Sequence, residues 1–218
     1  MRQSAAPSQR KPRTEPEPAS SATRSAILTA ATPLFASNGI QGTTIRQVAA
    51  AAQVNSQLIY YYFGNKFGLF RAALEGAASR VAALLAHATV KNGLPRDRLA
   101  HFISEWVRIT LAEAATLRML HRAMLEGDRT LAAEIQRHAD SHAAQIGSLI
   151  DEGKATGAFR ADLDTRRAVA SLVGMVQYLA LAETILFTST NLKQNRRERD
   201  AMAKHTAELF LRGLDAER

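Results

Sequence analysis

The sequence contains no cysteine. This absence excludes disulfide bonds, thiol redox sensing, a cysteine nucleophile and cysteine-bound zinc. It agrees with a reducing compartment, and we expect a cytoplasmic protein. No apolar stretch reaches about 18 residues without a polar interruption, so neither a transmembrane helix nor a membrane partner is expected. The first residues also lack the apolar segment of a signal peptide.

Proline and glycine are scarce. The 218 residues include six prolines and twelve glycines, and five of the six prolines precede residue 34. The remaining sequence is rich in Ala and Leu, which favour helix, and no segment shows strand alternation flanked by hairpin turns. We therefore predict an all-α fold of about nine helices. After the first three, we expect helices near residues 65–91, 95–113, 115–126, 128–156, 164–188 and 196–213.

Acidic residues are missing from one segment. The formal net charge is +8, and residues 18–74 contain four basic residues but no Asp or Glu. The basic residues are Arg24, Arg46, Lys66 and Arg71. Because no carboxylate repels a polyanion there, this segment is a candidate for DNA binding. Residues 1–22 are rich in Pro, Ser and Arg without apolar periodicity, and we expect a disordered basic tail.

The acid-free segment begins with a predicted helix over residues 23–38. One face of this helix is apolar, as expected for a helix that packs against a core. Pro33 should bend it, because proline removes a backbone donor, and Gly39 should end it. The phenylalanines of the segment are expected to be core residues; they are Phe35, Phe63, Phe67 and Phe70.

Two short helices joined by a tight turn are predicted next. Thr44 and Gln47 have the spacing of a capping box at the start of one helix. A turn follows around residues 52–54, and Asn55 caps another helix that ends near Tyr62. This pattern is typical of a DNA-reading helix-turn-helix.

The second of these short helices carries three consecutive tyrosines. Neighbouring side chains on a helix point about 100° apart, so at least one of Tyr60, Tyr61 and Tyr62 must be exposed. Gln57 can pair with adenine, and tyrosine hydroxyls commonly reach phosphates. Lys66 follows at the start of the next helix, where free backbone N–H groups also favour a phosphate.

Residues 23–74 closely resemble the DNA-binding domain of the tetracycline-repressor (TetR) family of bacterial transcriptional regulators. The resemblance is carried by Gly39-Ile40-x-Gly42-Thr43-Thr44-Ile45-x-x-Val48-Ala49 and by Val54-Asn55-x-x-x-Ile59-Tyr60-Tyr61-Tyr62-Phe63-x-Asn65-Lys66-x-x-Leu69-Phe70. It implies DNA-contact positions at Thr44, Arg46, Ser56, Gln57, Leu58, Tyr60, Tyr61, Tyr62 and Lys66. The departures are Gln53 and Gln57 in place of common glycines, Tyr61 in place of a common histidine and Gly64 in place of a common proline.

The resemblance divides the chain into a helix-turn-helix domain over residues 23–70 and a larger helical effector-binding and dimerisation domain over residues 71–218. It implies a homodimer that forms through the last two helices and binds a palindromic operator. The apolar residues expected to form that interface are Val169, Leu172, Val173, Val176, Leu179 and Ala180, with Gly174 allowing close approach, and Met202, Leu209 and Phe210. The alternative for these residues is core packing within one chain.

A small-molecule effector of unknown identity should bind among the helices of the larger domain. Large apolar side chains with a few polar groups suit such a pocket. The candidates are Phe102, Trp106, Ile109, Met119, His121, Met124, Met175, Gln177 and Tyr178, and for each of them core packing is the alternative. No cofactor is expected. The resemblance implies a repressor, which is the usual mode of the family.

Two other classes of protein compete with this interpretation. An all-helical enzyme would need a catalytic constellation, and the pair His101 and Glu105 is better explained as surface support, so no enzyme is expected. A non-specific architectural DNA protein would hardly distinguish sequences.

Three further groups of residues have simpler explanations than binding. His138 and His142 lack a third metal ligand and are interpreted as a solvated face, so no metal is expected. A solvated connection explains Lys193, Arg196, Arg197 and Arg199, and a solvated tail explains Arg10, Lys11 and Arg13.

Overall fold

The computed structural model describes residues 21–89, 92–125, 129–186 and 195–216. Within these ranges the protein is built of nine α-helices, so the predicted all-α fold is confirmed. The helices are α1 (Ser21–Gly42), α2 (Ile45–Ala52), α3 (Ser56–Phe63), α4 (Lys66–His87), α5 (Pro95–Ala112), α6 (Ala114–Leu125), α7 (Arg129–Ala155), α8 (Thr165–Leu186) and α9 (Arg196–Leu214). None of these helices, over its described residues, is long and apolar enough to cross a membrane.

Helix α1 is interrupted at its C-terminal end. Pro33 lies inside the helix, whereas the residue with non-helical angles is Gly39, at φ 68° and ψ 179°. The predicted stop at Gly39 is therefore confirmed, although one further turn follows it. The buried hydroxyl of Thr43 donates hydrogen bonds to the carbonyl oxygens of Leu34 and Gly39, at 3.1 and 2.9 Å. These bonds tie the end of α1 to the beginning of α2.

The predicted capping box of α2 is present. The Thr44 hydroxyl accepts from the backbone N–H of Gln47 at 3.2 Å, and Gln47 Oε1 accepts from the backbone N–H of Thr44 at 2.8 Å. The helix ends at Gln53, which has the left-handed angles φ 56° and ψ 40°. This conformation costs an L-residue about 1–2 kcal/mol, which explains why glycine suits the position. The turn is closed by the backbone N–H of Val54, which donates to Ala49 O at 3.0 Å.

Asparagine side chains start α3 and α4, as predicted. Asn55 Oδ1 accepts from the N–H of Gln57 at 2.9 Å, and Asn65 Oδ1 accepts from the N–H of Gly68 at 2.8 Å. Between the two helices, Gly64 has a positive φ of 74°, which suits glycine better than any L-residue. The directions in which α2, α3 and α4 begin are therefore determined by local hydrogen bonds.

The core of the N-terminal domain forms where α1, α2, α3 and α4 meet. Ile27, Val48, Ile59 and Leu69 are fully buried in it. The rings of Phe35 and Phe70 meet edge to face, with centroids 5.0 Å apart.

The prediction that Phe67 is a core residue is wrong, because its side chain is 59% exposed. Phe67 lies on the first turn of α4, before the buried positions of that helix begin at Leu69. Phe63 is half-buried against the core.

The larger domain is organised around α5, which packs against α7, α8 and α9. Arg96 at the start of α5 donates two hydrogen bonds to the Asp215 carboxylate after α9, at 2.8 and 3.0 Å. This pair raises the pKa of the Arg96 guanidinium, so its charge is retained at every physiological pH. Phe159 and Asp215 form an isolated antiparallel bridge beside the pair.

Half of the predicted interface stripe on α8 is buried in the core of its own chain. Leu172, Val176 and Ala180 are fully buried, and Val169, Val173 and Leu179 pack against the same cluster. The reason is that α8 is apolar around much of its circumference, and the face with the most regular spacing packs against neighbouring helices. On α9, Phe210 is buried and Met202 half-buried, whereas Leu209 is exposed.

We predict opposite stability changes for two glycines of α4. A Cβ atom at Gly68 would lie 2.1 Å from the carbonyl oxygen of Phe63, whereas a Cβ atom at Gly76 would meet nothing within 4 Å. Gly68→Ala should therefore lower the free energy of unfolding by about 1–3 kcal/mol, because α3 must move away from α4. Gly76→Ala should raise it by about 0.5–1 kcal/mol, because alanine favours helix. Urea unfolding measures both, and equal changes would contradict the close contact between α3 and α4.

Candidate functional site

Helix α3 presents an aromatic outer surface. Ile59 anchors the helix in the core, whereas the side chains of Tyr60 and Tyr61 are 52% and 65% exposed. Tyr62 is half-buried, and its ring meets that of Tyr61 edge to face with centroids 5.3 Å apart. Gln57 is exposed one turn earlier on the same helix. The outer surface of α3 therefore combines hydrogen-bonding groups with large rings, as a helix in a DNA groove requires.

Basic residues flank this surface, and acidic residues are absent from the sequence around it. Arg46 is exposed on the first turn of α2, and Lys66 is the first residue of α4. The nearest acidic residue in the later sequence is Glu75, which pairs with Arg71 at 3.0 Å. The N-terminus of α4 adds backbone N–H groups beside the Lys66 ammonium, a combination that attracts phosphate.

All nine predicted DNA-contact residues are accessible in the structure. Five are exposed, namely Thr44, Arg46, Gln57, Tyr60 and Tyr61, and four are half-buried, namely Ser56, Leu58, Tyr62 and Lys66. The Thr44 hydroxyl is also engaged in the capping box, where it donates to Gln47 Oε1 at 2.9 Å. One accessible residue of this region was missed by the sequence analysis, namely Phe67, which follows Lys66.

The larger domain contains a cavity of about 110 Å³ lined by residues of five helices, α4 to α8. Most of the lining is apolar, with Val81 and Leu85 from α4 and Leu120 from α6. Trp106 and Thr110, one turn apart on α5, contribute an indole and a hydroxyl. The remaining polar lining residues are His142 of α7 and Gln177 of α8.

Two buried oxygen atoms of the cavity lining lack a hydrogen-bond partner among the described residues. They are Thr110 Oγ1 and Gln177 Oε1. Buried polar atoms in proteins are nearly always satisfied, and leaving one unsatisfied costs about 1–3 kcal/mol. The two atoms are therefore candidates for contact with a bound molecule.

The predicted ligand-binding residues are distributed over several places. Trp106 and Gln177 line the cavity, and Phe102 packs beside Trp106 with ring centroids 6.0 Å apart. Ile109 and Met119 border other surface clefts, Met175 is half-buried, and Tyr178 is 58% exposed. The side chain of Met124 lies outside the described residues. Thr110 was not among the residues predicted from sequence, although its i, i+4 spacing from Trp106 on one helix face could have indicated it.

His121 lies on α6 without lining the cavity. Its Nδ1 is buried and has no partner among the described residues. Burial lowers the pKa of this imidazole, so the neutral form is favoured.

The remaining candidate histidines and basic residues lie only partly within the described residues. The described residues do not include Lys193 or the tail with Arg10, Lys11 and Arg13, nor do they include the side chain of His138. Within the described ranges, no three His, Asp or Glu side chains are placed to hold a metal ion.

The two remaining alternatives concern α5 and α9. Glu105 accepts a hydrogen bond from Arg108, and Arg108 Nε donates to Asp200 of α9 at 2.7 Å. Glu105 therefore supports the α5–α9 contact by holding Arg108 in place. Arg196, Arg197 and Arg199 lie on the first turn of α9.

Two family models match the chain. Residues 27–73 match the model described as bacterial regulatory proteins, tetR family, and residues 92–181 match the model described as a tetracyclin repressor-like C-terminal domain. The first match covers most of α1, all of α2 and α3 and the start of α4, and the second covers most of the cavity-lining helices.

Relatives with these domains are known. The repressor NicS of Pseudomonas putida is 26% identical over 203 residues, covering 88% of this chain and 92% of NicS. The repressor SCO4008 of Streptomyces coelicolor is 50% identical over 54 residues, covering 25% of this chain and 28% of SCO4008. The fold matches that of the FadR regulator of Bacillus subtilis, solved with stearoyl-CoA, with a TM-score of 0.68 at 18% identity, covering 88% and 99% of the two chains.

These matches agree with the structure in three respects, namely the order of the domains, the helix-turn-helix with its exposed tyrosines and the nine described helices. The chain therefore belongs to the TetR family of bacterial DNA-binding transcriptional regulators.

Proposed function

We propose that the protein is a ligand-responsive repressor. In this proposal a homodimer binds a palindromic operator in the bacterial cytoplasm and is released by a small-molecule effector. The observation that carries the proposal is the position of α4. This helix supplies Leu69 and Phe70 to the core beneath α3, and Val81 and Leu85 to the wall of the cavity. NicS and SCO4008, the relatives described above, are both named as repressors.

In this proposal, the outer residues of α3 recognise the base sequence of the DNA. Gln57 can pair with adenine, and the exposed rings of Tyr60 and Tyr61 can contact thymine methyl groups or reach phosphates through their hydroxyls. Arg46 and Lys66, on either side of α3, bind the phosphate backbone. The backbone contacts set the register, and the base contacts determine which sequence is preferred.

Dimerisation in this proposal uses the faces of α8 and α9 that do not pack on α5. Tyr178 and Leu181 of α8 and Leu209 of α9 are 58%, 44% and 54% exposed, which is unusual for such large apolar side chains. Gly174 is exposed on α8 and leaves room for a close approach. A two-fold axis through this surface repeats α3 in a second subunit, and a palindromic operator has the matching symmetry.

The effector acts through α4 and α6 in this proposal. Leu117 and Leu120 of α6 line the cavity, whereas Met119 and Arg122 of the same helix border a cleft against the end of α1. A molecule in the cavity therefore contacts two helices that also contact the DNA-binding domain. In the dimer, one spacing of the two α3 helices fits DNA and another does not. The effector releases DNA only to the extent that it binds the second arrangement more tightly than the first.

The first experiment is selection of bound fragments from sheared genomic DNA by the purified protein at about 0.15 M salt, where non-specific binding is weak. Enrichment of a palindromic sequence supports a specific dimeric regulator. Binding at low salt without any enriched sequence would favour a non-specific architectural protein instead.

We predict different effects for two variants of the DNA-binding surface. Gln57→Ala should change the preferred base at one position of each half-site by about 1–3 kcal/mol, because a base contact is lost. Lys66→Ala should weaken all sites alike and lower the slope of log K against log salt by about one per subunit, because a phosphate contact is lost. Binding titrations on single-base variants of the selected site measure both. If the two variants behaved alike, the division between base and phosphate contacts would be incorrect.

We also predict that Leu209→Arg prevents dimerisation, because the arginines of two subunits would repel each other in an apolar contact. Sedimentation should then give a monomer, and affinity for the full palindrome should fall by about 10² or more because two linked half-sites no longer act together. Leu94→Arg is the matched control, since Leu94 is 68% exposed and precedes α5. A dimeric Leu209→Arg protein would place the interface elsewhere.

A further inference from the structure

Two residues that line the mostly apolar cavity carry buried hydrogen-bonding groups without a partner among the described residues. Gln177 Oε1 is an acceptor, whereas the Thr110 hydroxyl can both donate and accept. A single hydroxyl group on a ligand satisfies both, because it can donate to Gln177 and accept from Thr110. Both residues line the same cavity.

The volume of the cavity limits the size of the ligand. Its 110 Å³ is of the same order as an engineered apolar cavity of about 150 Å³ that binds benzene. Trp106 offers a flat aromatic face in the lining and is held by the neighbouring ring of Phe102. A ligand ring packed against Trp106 would gain about 0.5–1.5 kcal/mol beyond the burial of its area. The volume and this contact together favour a ligand with a single aromatic ring.

The lining also limits the charge of the ligand. None of its described residues is Lys, Arg, Asp or Glu. His142, which also lines the cavity, already has an interaction partner in the protein. A carboxylate or an ammonium group would therefore lose its water without gaining a counter-ion, which is strongly unfavourable.

We propose that the cavity binds an uncharged compound with one aromatic ring and one hydroxyl group, a phenol or a benzylic alcohol. The hydroxyl lies between Gln177 Oε1 and Thr110 Oγ1, and the ring lies against Trp106. This assignment rests on the proposed function, since it gives the chemical class of the effector. It adds the specific requirement that affinity depends on the hydroxyl group.

The test uses three probes that differ in one substituent, namely p-cresol, toluene and p-toluate. Trp106 is the only tryptophan of the chain and lines the cavity, so quenching of its fluorescence reports binding at this site. The expected order is p-cresol, then toluene about tenfold weaker, then p-toluate weakest, since tenfold corresponds to about 1.4 kcal/mol. This comparison uses the unaltered protein and is independent of whether any variant folds.

Two nearly isosteric variants locate the hydroxyl. Gln177→Met and Thr110→Val should each lower the affinity for p-cresol toward that of toluene, and leave the affinity for toluene within about twofold, because only the polar contact is removed. Thr206→Val is the matched control, since Thr206 is a buried threonine of α9 and no residue of α9 lines the cavity. It should leave all three affinities unchanged.

The outcomes separate this inference from the proposed function. Equal affinity for p-cresol and toluene, preference for p-toluate, or no binding of p-cresol would overturn the ligand class. Binding of p-cresol with the expected dependence on Gln177 and Thr110, but without release of the selected DNA site, would support the ligand class and contradict the ligand-responsive part of the proposed function. Release of DNA by toluene or p-toluate in preference to p-cresol would support the proposed function and overturn the ligand class.

Discussion

Helix α4 runs from the helix-turn-helix to the cavity through one continuous hydrophobic core, and the architecture of the protein depends on this continuity. Its first turns bury Leu69 and Phe70 under the recognition helix, and its later turns bury Val81 and Leu85 beside the cavity. A helix is stiff along its axis because every residue within it is held by a backbone hydrogen bond. A displacement imposed at one end of α4 therefore reaches the other end, and both ends pack into the same core.

Much of this organisation is predictable from sequence because its determinants are local. The cap of α2 involves Thr44 and Gln47 only, and the starts of α3 and α4 each depend on one asparagine. Such contacts span two or three residues and can be recognised as spacings in the chain. The same holds for the exposure of the tyrosines of α3, which follows from the angle between successive side chains.

The features that sequence could not predict depend on helices far apart in the chain. The apolar stripe of α8 has the spacing of an interface, yet Leu172, Val176 and Ala180 are buried within the chain, and only the assembled fold decides which of its residues are covered. Phe67 has the composition of a core residue but precedes the packed part of α4. The place of Thr110 in the cavity lining emerges only where five helices meet.

The contact between Gly68 and the carbonyl oxygen of Phe63 joins α3 to α4 through backbone atoms, with no side chain of either residue between them. Substitutions on the outer surface of α3 leave such a joint untouched. The residues that the proposal assigns to base contacts are therefore separate from the backbone approach that seats α3 on α4. In the proposed function, substitution of Gln57 or Tyr61 changes the operator sequence while the backbone packing of α3 on α4 stays as it is.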